Sequence, residues 1–435
     1  MLNSLNDGTV VSISAAGVLL STVFFTGGYI ASDIETRTDG LVGFQEKLKW
    51  CREESKSNRL AWNTEGERSC GRPLGLRLIQ KYVSVRLLFL HFHMNSTSFS
   101  IILTSILSYS YNQLYIIDAY HGVFRLDVAN SRAEHLVSPS TVIVAPYHHS
   151  GTVDPMALLP PKFFNDLDCV EISDSMAGSE EGSLQRQIAE GVMIYFTDSS
   201  YKHTRSENRQ EILDGAPRGR FFSYDTRNSE LKILACGLHF PNGIQFLNED
   251  EVLVVESSRF RVLKFNVRNM EGTNPFLNSC AENGSLTTYI QGNSNKNQSP
   301  LAAVFLDGVP GFMDNIRLDS LPSKIPNDKG KRFFIGVGTK SSQPFSLLWY
   351  TYQTLFLREL IGRFFPMKHV EKLVPKYGLV LLVDQDGEVL RSFHDPTGQR
   401  MKMVSEAQRH PVTGDIWIGS HSNPFMGLLK AKFIQ

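Results

Sequence analysis

One unit recurs along this chain: an apolar run that reads as a strand, a turn built on Asp, Asn or Gly, and a second strand. Leu114-Tyr-Ile-Ile-Asp-Ala-Tyr120 turns at His121-Gly122 into Val123-Phe-Arg-Leu-Asp127. The form returns at Val192–Asp198 with Arg220–Asp225, and at Glu251–Glu256 with Phe260–Phe265. Further copies are Arg332–Gly336, Gly378–Asp384 with Glu388–Arg391, and Asp415–Gly419. Apolar runs of this length bounded by turn formers are strands, and successive pairs are hairpins. A strand pair repeated every few tens of residues predicts a radial array of small antiparallel sheets, an all-β propeller.

Composition agrees and narrows the function. Glycine (33), Pro (19) and Phe (28) suit many short strands and turns in a chain of 435 residues. Lys plus Arg and Asp plus Glu number 44 each, with no long basic block, so the sequence points to no nucleic-acid partner. The five cysteines contain no C-x₂₋₄-C zinc spacing. Cys51 and Cys70 close a loop short enough for a disulfide in an oxidising compartment, and the odd count leaves at least one thiol unpaired in the monomer. Sequons at Asn95, Asn283 and Asn297 matter only if the chain enters the secretory pathway.

Val10–Ile30 has no charged residue and a length suited to a bilayer, although Ser and Thr dilute it. A signal-anchor helix, a cleaved signal peptide and a buried hairpin are its three readings. The organisation expected is a cytoplasmic tail and signal-anchor over residues 1–32, a diverged first blade or stalk over 33–69, and the propeller over 70–430. Inserts near 78–111 and 131–160 interrupt it; the second holds His148 and His149. One amphipathic helix is expected from Phe345 to Phe365.

The stretch Asp307–Asp319 carries the chemistry. Gly308, Pro310 and Gly311 disfavour a continuous strand, which puts Asp314 and Asn315 on a loop before Ile316-Arg317-Leu318. A carboxylate beside an amide carbonyl offers hard oxygen donors of the kind Ca²⁺ takes. Asn165-Asp166 and Pro241-Asn242-Gly243 are similar clusters, each before an apolar run. As single clusters they are turn formers; three at strand starts suggest loops converging on one centre.

Longer matches give a family. Cys70-Gly-Arg-Pro-Leu-Gly-Leu-Arg77, Phe164-Asn-Asp-Leu-Asp168, Tyr195-Phe-Thr-Asp-Ser-Ser200, Gly219-Arg-Phe-Phe-Ser-Tyr-Asp225, Phe240-Pro-Asn-Gly-Ile244, Pro310-Gly-Phe-Met-Asp-Asn-Ile316 and His394-Asp-Pro-Thr-Gly398 together resemble the strictosidine synthase-like family, in its adipocyte plasma membrane-associated branch. The resemblance implies a six-bladed β-propeller, distantly related to paraoxonases. It also implies a Ca²⁺ cofactor on Asn165, Asn242 and Asp314, with Asn315 beside the last. For the branch it implies a single-pass type II membrane glycoprotein of the endoplasmic reticulum or cell surface, with a lumenal or extracellular propeller and weak arylesterase activity. The chain departs from the pattern in lacking the first-blade Gly-Pro-Glu, for which Glu35 or Glu46 is a poor substitute.

Catalytic candidates are Glu406, in Val404-Ser-Glu-Ala407, and His121, at the first blade's turn. A glutamate in an apolar channel is a potential general base, and equally an ordinary surface residue. Neither a G-x-S-x-G elbow nor H-E-x-x-H occurs. The reading is a calcium-dependent arylesterase or lactonase acting on a small apolar ester or lactone. The alternatives are a membrane-tethered binding propeller and a strictosidine synthase-type condensing enzyme.

Overall fold

A computed structural model describes residues 73–82, 110–127, 132–144, 155–172, 191–268, 302–319, 330–340, 374–423 and 425–433. It adds Cys280, Leu360 and short strands at 2–4, 9–13, 19–24, 88–94 and 97–103. Strands β1 (Leu2–Ser4), β2 (Thr9–Ile13) and β3 (Leu19–Phe24) form a small antiparallel sheet. Within the Val10–Ile30 stretch the described residues are strands paired as a hairpin, the third of the readings given for it, and a signal-anchor helix is not shown. Among the described residues no helix is long and apolar enough to cross a membrane.

The first blade consists of β4 (Pro73–Tyr82), β7 (Ser110–Asp118), β8 (Gly122–Asp127) and β9 (Arg132–Val137). The insert near 78–111 is an outgrowth of its first hairpin. β4 and β7 stay paired out to Tyr82 and Ser110, and between them β5 (Leu88–Met94) and β6 (Thr97–Leu103) pair as a second hairpin. The other insert is partly blade as well. It holds β9 and then β10 (Ile143–Val144), which adds in parallel to the outer edge of blade two.

Blade two runs β11 (Phe164–Ile172), β12 (Gly191–Asp198), β13 (Gly219–Asp225) and β14 (Glu230–Leu238), with helix α1 (Asn208–Asp214) between β12 and β13. Blade three runs β15 (Pro241–Phe246), β16 (Glu251–Glu256), β17 (Arg261–Asn266) and β18 (Ala302–Leu306). Blade four runs β19 (Gly311–Leu318), β20 (Arg332–Lys340), β21 (Gly378–Asp384) and β22 (Val389–Asp395). Among the described residues blade five has three strands, β23 (Val404–Arg409), β24 (Ile416–Ser420) and β25 (Gly427–Leu429). Five blades are thus described where six were expected. Residues 33–69, assigned to a first blade or stalk, lie outside the described residues, as does the helix expected at Phe345–Phe365 apart from Leu360.

Blades two, three and four are each sandwiched between neighbours, so their middle strands are apolar on both faces and read as continuous runs. In β7 the alternation sends Tyr115 and Ile117 toward blade two, where they meet Phe164, Phe196 and Phe222. Leu114 and Ile116 go to the other face with Phe124 and Leu126. Equivalent cores join blades two and three around Phe221, Ile244 and Val254, and blades three and four around Val255, Ile316 and Ile335. Val380, Val404 and Ala407 join four to five. Full burial of each such side chain contributes about 1.5–3 kcal/mol. These wedges hold the inner strands β11, β15, β19 and β23 side by side around the axis.

Candidate metal and catalytic site

The inner strands are interrupted at the same height. Between Phe164 and Leu167, β11 places Asn165 and Asp166 opposite the single residue Thr197 of β12. Between Pro241 and Ile244, β15 places Asn242 and Gly243 opposite Val255 of β16. Between Met313 and Ile316, β19 places Asp314 and Asn315 opposite Gly336 of β20. Each is a bulge, which re-aims consecutive side chains while the ladder resumes on both sides. This corrects the loop expected around Asp314 and Asn315. Both lie inside a strand, and the bulge supplies the departure from regular pairing that Gly308, Pro310 and Gly311 suggested.

The bulges also lie against one another. A Cβ at Gly243 would sit 2.5 Å from Asn315 Cα and 2.9 Å from the Asp314 carbonyl oxygen, so the absence of a side chain lets blades three and four meet there. Thr197 Oγ1 donates to the Asn242 carbonyl at 2.7 Å, tying blade two to three. Asn165 Nδ2 donates to Ser199 Oγ at 2.7 Å, and Asn242 Nδ2 to Ser257 Oγ at 3.2 Å. The Oδ1 atoms of Asn242 and Asn315 are buried and have no hydrogen-bond partner. An unpaired buried carbonyl costs about 1–3 kcal/mol, which a cation would recover. Asp314 adds a carboxyl whose pKa is raised to about 7, by burial first and then by the nearby Glu406 charge, against a hydrogen bond from the Asn242 side chain and the pull of Arg317. Amide oxygens plus one carboxylate suit Ca²⁺. Among the described residues, no group of three or more His, Cys, Asp or Glu is placed to hold a metal, so a site here rests on the amides.

Next to the bulges lies a charged network that the sequence reading did not anticipate. Arg317 of β19 donates from Nη1 to Asp166 Oδ2 at 2.7 Å and from Nε to Glu406 Oε2 at 2.9 Å. Asp166 Oδ2 also accepts from the Ile244 amide at 3.0 Å. Arg77 of β4 donates from Nε to Asp168 Oδ1 at 2.8 Å and from Nη2 to the Ile244 carbonyl at 3.0 Å. Gln245 closes the group, donating to Asp168 Oδ2 at 2.8 Å and accepting from the Leu318 amide at 2.9 Å. Five inner strands are laced together by these side chains. The signal for them was charge on strands expected to be apolar, as in Ile316-Arg317-Leu318 and Leu167-Asp168.

Glu406 stands in β23 within the network, its Oε2 engaged by Arg317. His121 is in the β7–β8 turn, beside Asp118, which pairs with Pro73 at the end of β4 nearest the bulges; its amide donates to Asp118 Oδ1 at 3.1 Å. The two candidates therefore belong to different layers, one on the rim and one among the inner strands. Cys51, Cys70, Glu35, Glu46, His148, His149 and the sequon residues Asn95, Asn283 and Asn297 lie outside the described residues. A disulfide that the sequence reading missed joins Cys236 of β14 to Cys280. Cys169 carries a free thiol, whose pKa burial pushes upward.

Residues 186–270 match the family model for strictosidine synthase. The adipocyte plasma membrane-associated protein of Bos taurus is 30% identical over 318 residues, 73% of this chain and 61% of its own length. The chain is similar to the strictosidine synthase-like family. The Gallus gallus protein of the same name is 27% identical over 85% of this chain and 66% of its own. Strictosidine synthase-like protein 10 of Arabidopsis thaliana is 27% identical over 84% of this chain and 71% of its own. The chain thus spans less than two thirds of the length of the bovine relative. A solved structure provisionally named a gluconolactonase aligns over 73% of this chain and 70% of its own at 10% identity, with a TM-score of 0.35, too low to bear on activity.

Proposed function

We propose that this strictosidine synthase-like propeller is a calcium-dependent hydrolase of small apolar esters or lactones. The observation behind the reading is the set of three side-by-side bulges offering Asn165, Asn242 and Asp314, with Asn242 and Asn315 oxygens left unpaired. Those four residues would hold the ion. When bound, Ca²⁺ supplies a Lewis acid able to polarise an ester carbonyl and stabilise the developing oxyanion. The chain's own part is to fix the donors: the bulges aim them, and the hydroxyls of Ser199 and Ser257 hold the two amides. His121, in the β7–β8 turn, is the group available to hold or move a proton. Purified full-length chain assayed on aryl esters and lactones, with calcium and with chelator, tests the reading; no calcium-dependent turnover on any of them defeats it.

A second reading, a membrane-tethered propeller that binds without catalysis, draws on the Arg317–Glu406 pair. A glutamate engaged by an arginine that also grips Asp166 is built as structure, which likewise weakens the condensing-enzyme alternative. Membrane association is proposed from relatives named as plasma membrane-associated. Carbonate extraction of membranes from expressing cells checks it, with release of all the protein as the contrary outcome.

A further inference from the structure

Ser199 and Ser257 occupy one position in two blades. Each is the first residue after the second strand, in Asp198-Ser199 and Glu256-Ser257, and both are buried. Each hydroxyl spends its only proton on a backbone carbonyl of the next blade. Ser199 Oγ donates to Pro241 O at 2.7 Å, and Ser257 Oγ donates to Met313 O at 2.6 Å. A hydroxyl has one proton and two lone pairs. Toward its own blade each serine can therefore only accept. The side-chain atom facing it must be a donor, so Asn165 and Asn242 present Nδ2 to the serine. Their carbonyl oxygens are turned away from it, and in Asn242 that oxygen is the one left buried without a partner.

Comparison of blades within this chain sharpens the point. In blade one the corresponding residue is Ala119, and the bulge of β4 holds Leu74, which has no amide to orient. In blade four the residue in the same register, two beyond the one facing the bulge, is Gly338 within β20, and the first bulge residue is Asp314, whose two oxygens need no orienting. In blades two and three the serine occurs where the first bulge residue is an asparagine. A tether between blades would be equally useful after Asp118, where there is none of this kind to make.

We infer that Ser199 and Ser257 are positioning residues that lock the Asn165 and Asn242 amides with their oxygens presented to a divalent cation. The inference rests on the calcium reading and deepens it. Its test is calorimetric titration of the full chain with Ca²⁺ for the wild type, Ser257→Ala, Asn242→Ala and the double variant. Loss of an outer hydrogen bond to a metal ligand costs about tenfold or more in affinity, so Ser257→Ala should bind about tenfold more weakly. If the serine acts through the asparagine, adding Ser257→Ala to Asn242→Ala should cost nothing further, whereas a merely structural serine would weaken both backgrounds by the same factor. Either additive losses or unchanged binding by Ser257→Ala overturns the inference while leaving the calcium reading standing. No uptake by the wild type overturns both. Should Ser257→Ala not fold, Ser199→Ala with Asn165→Ala runs the same cycle one blade away.

Discussion

Arg317 donates from Nε to Glu406 Oε2 at 2.9 Å, joining the inner strands of blades four and five. The same guanidinium reaches Asp166 of blade two. Arg317 and Asp166 are both buried. Taking one partner from a buried ion pair leaves a charge that neither water nor protein satisfies. Arg317→Leu should therefore destabilise the chain by about 3 kcal/mol, read as a lower denaturation midpoint. Glu406→Gln should cost much less, because its side chain is 28% exposed and Asp166 remains paired. Equal losses in the two variants would contradict the ranking.

Arg220 anchors a different seam. Fully buried, it donates to Asp198 Oδ2 at 3.0 Å and to the carbonyls of Ala157 and Leu159, and its guanidinium lies over the Phe222 ring at 5.0 Å. Arg220→Met keeps the aliphatic stem but leaves Asp198 buried and two carbonyls unmet. A loss of about 3–5 kcal/mol is expected, with faster proteolysis near residues 155–159. A denaturant midpoint within error of the wild type would show that the pair contributes nothing net.

The Cys236–Cys280 bond closes a separation of 44 residues. Chain-entropy arguments give about 4 kcal/mol for a loop of that size. Cys236→Ser with Cys280→Ser should lower the melting temperature accordingly, and reductant should lower that of the wild type but not of the double variant. If reductant destabilised both alike, another bond would be responsible.

What the sequence revealed and what it hid follow one physical division. The second and third strands of the blades, such as Val192–Asp198 and Glu251–Glu256, are apolar on both faces and were legible as runs. The inner strands carry Asn165, Asp166, Asn242, Asp314 and Arg317, since one side of each faces the axis, and these polar residues read as turns. Asn165, Asn242 and Asp314 were therefore singled out together, and the structure sets them in bulges of neighbouring inner strands, while the loop expected at Asp314 was misassigned. Network partners were hidden for another reason: Arg77 and Asp168 are 91 residues apart, and no local pattern links them. Cys236 and Cys280 escaped similarly, because spacing alone favoured the nearer Cys51 and Cys70.

Asp314 gives the clearest dependence on pH. Its folded pKa is raised to about 7 from the ordinary 3.8, with burial the largest cause and the Glu406 charge second. Between those values the folded state holds a proton that the unfolded state has lost. Stability of the calcium-free chain should therefore fall as pH rises from about 4 to about 7, then level off as far as this group is concerned. Asp314→Asn abolishes the ionisation and keeps the shape. In chelator, the variant should melt near the wild type at pH 4 and above it at pH 8. Under the calcium reading the order reverses once the ion is added, since the carboxylate is the one anionic ligand of the set and its charge attracts a divalent ion strongly in a partly desolvated site. The variant should then bind Ca²⁺ more weakly and gain less in melting temperature from it. Melting curves at the two pH values, each in chelator and in millimolar calcium, decide both parts. A variant that tracks the wild type in all four conditions would leave Asp314 as a bulge residue without a charge to manage.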